Sequence, residues 1–507
     1  MTLARVQTIA LVGLVGHRVD VEVDISDGLP GYTLLGLPDA ALSESRDRVR
    51  SALLNSQAPW PNKRVTVSLS PAWLPKSGSS FDLPIAVALM IAQGLVPAMA
   101  LDDVIFMGEL SLDGSVKKVR GVLPAILAAA QDGISRAVIA HENSPECADI
   151  DSISTVGVRD LADVLEYLRD GVIPQSDPIE LVPTEQSFLD LSDVIGQQQA
   201  RYALEIAAIG EHHLLMIGPP GTGKTMLAER LPGILPQLTR SQSLEVRAIT
   251  SIGGQTPRSA GEYLTPPFLA PHHTTTAVAM VGGGAHLIKP GACSLAHRGV
   301  LFIDEAPECK AGVLDALRQP LEAGVITIAR TSGTITYPAE FLLVLAANPC
   351  PCGKYSGRGR ACTCSALSIR RYLQRMSGPL LDRIDIRTFV ETPSRSEMAG
   401  TATGESSDDV RARVILARSF AAERFADYAW KLNSRIPASE LRVKFRASKE
   451  GMAFLHNELE SERISARGFH KVLRLAWSVA DSNAHGVPTV SDVQTALNLR
   501  QGADIFA

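Results

Sequence analysis

Hydrophobic and polar positions alternate along the first third of the chain in a way that separates strands from helices. RVDVEVDIS (18–26) switches between apolar and polar residues with period two, and KRVTVSLSP (63–71) does the same, so both predict strands with one buried face. ALSESRDRVRSALLNS (41–56) carries its apolar residues at helical spacing. VIFMGELSLDG (104–114) predicts a strand pair around a turn, LPAILAAAQDG a helix, and RAVIAH (136–141) a strand. The longest apolar run, Phe81 to Leu101, has the length of a membrane span. Asp82, Pro84, Gln93, Gly94 and Pro97 interrupt it, so it predicts a buried helix that starts at Asp82 and ends near Gln93. Residues 1–168 form one α+β unit on this pattern.

The pattern then breaks. Residues 169–188 contain DGVIPQSDPIELVPTE, with three prolines and little periodicity, and predict a linker. A second α/β unit spans 189–395. Its apolar runs HLLMIG, VLFI (300–303) and FLLVLAA have the continuous character of strands buried on both faces. A polar hinge, SRSEMAGTATGESSDD, leads into residues 396–507, where only helices are predicted. In ISARGFHKVLRLAWSVADS, Phe469, Val472, Leu473, Ala476 and Ala480 share one face, and Ser465 is the expected N-cap. No internal repeat stands out.

Composition narrows the function classes. The 507 residues suggest two to four domains of ordinary globular make-up, with 45% apolar and 20% charged residues. Forty-nine basic residues against 54 acidic ones give a net charge of −5, so a nucleic-acid contact has to be local, such as a loop or a pore lining. Residues 1–16 lack the pattern of a signal peptide. The seven cysteines are too few and too bunched for a secreted disulfide framework, which points to a cytoplasmic protein without a membrane segment.

The chemistry concentrates at the ends of the three apolar strands. After HLLMI come Gly218, Pro219, Pro220, Gly221, Thr222, Gly223, Lys224 and Thr225, a G-x-x-x-x-G-K-[ST] loop opening a helix. Such glycines let backbone N–H groups converge on phosphate oxygens, Lys224 reaches the terminal phosphates, and Thr225 ligates magnesium. VLFI ends in Asp304 and Glu305, where α/β folds bind ligands; Asp304 is expected on the magnesium and Glu305 on the attacking water. FLLVLAA ends in Asn348, expected beside Glu305. Arg383 and Arg467 are candidates for the arginines that a ring ATPase borrows from a neighbouring subunit and from its lid. ATP and Mg²⁺ are the implied cofactors.

Taken together, VIGQQQARYALEIAAIGEHHLLMIGPPGTGKT, PHHTTTAVAMVGGGAHLIKPGACSLAHRGVLFIDEAPE, LRQPLE and NPCPCG resemble the ComM/YifB family, AAA+ ATPases of the magnesium-chelatase-like group. The resemblance covers nearly the whole chain. It implies an AAA+ core over 189–395, a helical lid, and a homohexameric motor that moves branched or single-stranded DNA through its pore. It also implies roles: Asn348 as first sensor, Arg383 as trans arginine finger, Arg467 as second sensor, and Val194, Ile195 and Gly196 as the segment on adenine. Residues 324–338 resemble a hairpin that lines the channel, with Arg330 to Gly333 at its tip; Lys289 and Arg330 are the candidate phosphate contacts. Residues 1–168 resemble a Lon-protease-like domain. Ser80 falls at the nucleophile's place, but Leu123 takes the place of the catalytic lysine, so the unit reads as a scaffold, with Lys117 and Lys118 a solvated face. An ATPase subunit of a metal-insertion complex and an ATP-dependent protease are the competing functions.

Four cysteines remain. Cys350-x-Cys352 and Cys362-x-Cys364 follow Asn348 directly and are nine residues apart, with Lys354, Arg358 and Arg360 between them. They have the thiols for one tetrahedral zinc, although structural sites more often use C-x₂₋₄-C spacing. A reduced, glycine-rich loop and a redox-sensitive pair are the alternatives.

Overall fold

The computed structural model describes residues 3–502 except 77, 97–100, 175–188, 255–263, 285–287, 331–332, 356–361, 394–396 and 398–403. Its first unit is built on nine strands: β1 (Leu3–Val12), β2 (Val15–Ser26), β3 (Gly31–Leu35), β4 (Arg64–Ser70), β5 (Val104–Met107), β6 (Glu109–Leu110), β7 (Val116–Lys117), β8 (Arg136–Ala140) and β9 (Ser154–Val158). Seven of them form a mixed sheet in the order β3-β4-β2-β1-β5-β8-β9. The alternation read from the sequence appears as a buried row, with Val21 opposite Leu69 and Val23 opposite Val67. β1 escaped the pattern because Gln7 and Thr8 are buried along with Val6 and Ile9, so the strand does not alternate.

Helix Asp82–Ala92 is buried at every residue except Ile91 and ends at Gln93, as expected. Its first residue, Asp82, accepts two hydrogen bonds from Arg48, from Nε at 2.6 Å and Nη2 at 3.0 Å, which compensates a fully buried carboxylate. The helix expected over 41–56 is divided at Glu44 into Ala40–Ser43 and Ser45–Asn55. The unit closes with helix Leu161–Asp170, capped by Asp160 and ended by Gly171 at φ +70°, two residues into the expected linker. The rest of that linker, from 175, lies outside the described residues.

The second unit contributes β10 (Leu214–Ile217), β11 (Phe268–Leu269), β12 (Gly282–Gly283), β13 (Lys289–Pro290), β14 (Val300–Ile303), β15 (Val325–Arg330), β16 (Gly333–Pro338), β17 (Leu342–Ala347) and β18 (Ile386–Phe389). Its sheet, β11-β14-β17-β10-β18, is wholly parallel. Alternate residues of each strand feed two cores. Leu214, Met216, Phe302 and Val344 meet Ile206 and the C-terminal helix residues Val472 and Leu473 on one side. Leu215, Ile217, Ile303 and Leu345 meet Leu317, Ile328 and Tyr337 on the other. Burial on both faces explains why these strands read as unbroken apolar runs. The C-terminal helices, among them Ser407–Arg424 and Ala466–Ser482, therefore pack on the sheet of the same chain.

Helix Arg240–Gly253 joins the two units. Arg247 grips both Asp149 carboxylate oxygens, at 2.6 and 2.7 Å, and the Glu146 carbonyl at 2.6 Å, while Ser251 donates to Glu146 Oε2 at 2.7 Å. A cavity of about 650 Å³ lies between the first unit and the hairpin β15–β16, lined by Ser80, Lys118, Lys289 and Tyr337 among others. No helix among the described residues is long and apolar enough to cross a membrane.

Candidate active site

Because all five strands run the same way, the residues that follow β10, β14 and β17 emerge at one edge of the sheet. The loop after β10 needs its glycines for two different reasons. Gly221 and Gly223 sit at φ +78° and +90°, a conformation that side chains rarely adopt. Gly218 is needed for space, since a Cβ there would lie 2.4 Å from the Val390 carbonyl oxygen. Lys224 opens the helix Lys224–Glu229 and is buried. Its ammonium donates to the carbonyls of Gly218 at 2.6 Å and Pro219 at 2.9 Å, and to Asn348 Oδ1 at 3.3 Å. Burial lowers its pKa from the usual lysine value, and the nearby Asp304 and Glu305 oppose that shift.

Thr225 Oγ1 donates to Asp304 Oδ2 at 2.8 Å, and the Glu305 backbone N–H donates to Asp304 Oδ1 at the same distance. A hydroxyl and a carboxylate side by side form an oxygen-rich set that suits a hard divalent cation. Glu305 adopts φ +48°, an uncommon backbone for a residue with a side chain, and points its half-exposed carboxylate at His273, whose Nδ1 is 3.2 Å from Oε2. His273 belongs to the PHHTTT segment, which entered the sequence analysis only as part of the family resemblance. Gln197 is another residue that reading missed: its amide donates to the Thr222 carbonyl at 2.8 Å and the Glu391 carbonyl at 2.7 Å. That bridge ties the 194–196 segment to the loop, with Val194 buried and Ile195 41% exposed.

Arg383 and Arg467 are not at this edge. Both line a second cavity of about 240 Å³, shared with Arg435, Arg474, Glu322 and Asp382, beside the residues that lead into β10 and β18. It lies at the opposite end of the sheet from the phosphate loop, so the structure brings neither arginine to the loop of its own chain. Arg383 pairs with Glu322 and donates to the Pro379 carbonyl at 2.5 Å; Arg467 is 3.5 Å from Asp382 on the helix capped by Ser465. Lys471 of that helix clamps the approach to β18, reaching the Arg383 carbonyl at 2.8 Å and Asp385 Oδ1 at 2.5 Å. Burial works against the Asp385 charge, yet Lys471 and His212 hold its carboxyl well below the usual range.

The four cysteines come together. Sγ of Cys350 lies 3.3 Å from that of Cys352 and 3.7 Å from that of Cys362, and Cys352 to Cys362 is also 3.7 Å. All four thiols fall within 4.8 Å of one another, a cluster able to hold a metal ion. Lys354 is exposed beside them; Arg358 and Arg360 lie outside the described residues. Lys289 is exposed and lines the cavity between the units, as Ser80 does. Residues 331–332 of the hairpin tip, and the Arg330 side chain, are also outside the description. Leu123, at the expected place of the Lon-type lysine, is fully buried in an apolar core.

Three family models match in succession. Residues 21–143 match "Subunit ChlI of Mg-chelatase", 190–398 match "Magnesium chelatase, subunit ChlI", and 404–500 match its C-terminal part. An uncharacterized protein of Mycobacterium tuberculosis is 48% identical over 501 residues, covering 99% of both chains. Competence protein ComM of Haemophilus influenzae is 42% identical over 488 residues, covering 95% of this chain and 94% of its own. YifB of Escherichia coli is 40% identical over 502 residues, covering 99% of this chain and 97% of its own. A shorter likeness, 27% over 175 residues, links 33% of this chain to 22% of a Lon protease of Mycolicibacterium smegmatis.

Proposed function

Because the chain belongs to the ComM/YifB family of magnesium-chelatase-like AAA+ ATPases, we propose that it is a homohexameric motor that hydrolyses ATP to move branched or single-stranded DNA. The observation that carries the ATPase reading is the gathering of Lys224, Thr225, Asp304, Glu305 and Asn348 at one edge of the parallel sheet. Gly218 to Thr225 would cradle the phosphates, and Ile195 offers exposed apolar surface to the base. Thr225 and Asp304 would hold Mg²⁺, which when bound neutralises phosphate charge. Glu305 accepts the proton of the attacking water, and Asn348 orients the phosphate side of the reaction.

The ring reading rests on the second cavity. Arg383 and Arg467 line a cavity away from their own phosphate loop, a placement that supports their serving the neighbouring subunit's nucleotide. The DNA reading rests on the family, which includes a protein named for competence, and on the hairpin β15–β16 with Lys289 near its base. The first unit acts as a scaffold locked to the motor by Arg247. A direct test measures ATP turnover alone, with forked or single-stranded DNA, with a porphyrin-binding partner, or with casein. Stimulation by DNA alone supports the motor. Stimulation only by a porphyrin partner would assign the chain to metal insertion, and casein-dependent turnover would assign it to proteolysis.

A further inference from the structure

The cysteine cluster does more than follow Asn348 in sequence. Gly353 N–H bonds back to the Cys350 carbonyl at 2.9 Å, forming a tight turn with Gly353 at φ +73°. This turn rests directly on the phosphate loop: a Cβ on Gly353 would lie 2.6 Å from Pro220 Cδ. The same turn begins two residues after Asn348, whose amide oxygen meets Lys224. One short segment thus meets the phosphate-loop residues twice, through Asn348 and through Gly353, and carries the thiols Cys350 and Cys352 between them.

We propose that Cys350, Cys352, Cys362 and Cys364 bind one structural zinc ion, and that the metal props the 350–353 turn against Pro220 so that metal loading and nucleotide affinity are linked. The geometry fits the metal. A tetrahedral zinc with Zn–S bonds of about 2.3 Å sets its sulfurs about 3.8 Å apart. Three of the separations here are 3.3, 3.7 and 3.7 Å, far beyond a disulfide bond of about 2.05 Å. Four thiols fill the coordination sphere and leave no open position, the mark of a structural rather than a catalytic zinc. Binding releases the thiol protons and joins Cys350 and Cys352 to Cys362 and Cys364 across a nine-residue gap, which lowers the entropy cost of fixing the turn. The remaining cysteines, Cys147, Cys293 and Cys309, are buried singly elsewhere.

The metal site stands apart from the nucleotide reading, whereas the linkage rests on it, and the experiment separates the two. Full-length protein purified under reducing conditions without chelator is analysed by elemental mass spectrometry, and its affinity for a fluorescent ATP analogue is measured before and after zinc removal. The expected result is about one zinc per chain, lost in Cys352→Ser and Cys364→Ser. Stripping zinc from the unmodified protein should weaken analogue binding about fivefold or more, and re-added zinc should restore it. Lys224→Ala should keep its zinc and lose the analogue. Metal-free protein, or iron with its visible absorption in place of zinc, overturns the site. Full zinc with unchanged affinity after stripping overturns the linkage. Zinc without analogue binding in the unmodified protein faults the nucleotide reading and leaves the zinc site supported. If the serine variants fail to fold, the zinc count and the strip-and-restore cycle on the unmodified protein decide both claims.

Discussion

Arg383 and Glu305 lie at opposite edges of the same sheet, and that separation predicts how two dead variants should behave together. Glu305 follows β14 at the edge that carries the phosphate loop. Arg383 lies before β18, in the cavity beside His213 at the other edge. The strands between them are four to six residues long, so at ~3.3 Å per residue the two groups are at least about 13 Å apart. On the proposed reading the two groups therefore act on one nucleotide from adjacent subunits. Glu305→Gln should bind ATP and lose about a hundredfold or more in turnover, because the water loses its base. Arg383→Ala should also bind ATP and lose about a thousandfold, the usual scale for an arginine finger. In a head-to-tail ring mixed at equal amounts, about a quarter of the interfaces pair an intact Glu305 with an intact Arg383 from the neighbour, so ATPase activity should recover to about a quarter of the unmodified rate. The assay is steady-state phosphate release across mixing ratios, with mixed assemblies confirmed by native mass spectrometry. Activity that stays at the average of the two variants, in rings shown to be mixed, would refute a shared site.

Three further outcomes follow from single contacts. His273→Ala frees the Glu305 carboxylate from a partner 3.2 Å away; losing this partly exposed contact, worth about 0.2–1 kcal/mol, should raise DNA-independent turnover up to about fivefold and shrink the DNA stimulation ratio, and an unchanged ratio would count against a restraining role. The first unit should cleave neither casein nor a fluorogenic peptide, because Leu123, buried in an apolar core, stands where a Lon-type enzyme has its lysine base; cleavage that vanishes in Ser80→Ala would reverse this. Arg247→Ala removes three hydrogen bonds between the units. Asp149 is half exposed, so the cost should be roughly 1–3 kcal/mol, read as faster protease cleavage between the units, and equal protease resistance would mean that other contacts hold them.

What could be read in advance followed local chemistry. The strand, glycine turn and helix around Lys224 were legible because the G-x-x-x-x-G-K-[ST] spacing puts the turn glycines, the lysine and the hydroxyl in one consecutive stretch. VLFI and FLLVLAA were legible as strands because both faces are buried, and Asp304 and Asn348 followed from their ends. The long apolar run from Phe81 was resolved correctly into a buried helix by Asp82 and Gln93. Contacts between distant segments were not legible. His273 meets Glu305 across 32 positions, and Gln197 reaches Thr222, 25 positions away, and Glu391, 194 positions away. Neither residue has a spacing rule that signals its role. The seating of Gly353 on Pro220 was hidden for the same reason, although the cysteine pairs beside it were conspicuous. Strand β1 was missed because a central strand buried on both sides, with Gln7 and Thr8 inside, has no period to detect.

The central claim, that this ATPase moves DNA strands, is tested most directly by branch migration on a labelled three-strand junction with purified protein, ATP and Mg²⁺. The account predicts strand exchange that requires ATP hydrolysis and disappears in Glu305→Gln while junction binding persists. Vigorous ATP turnover by the unmodified protein with no movement of the junction, on any fork or single-strand arrangement tried, would contradict it.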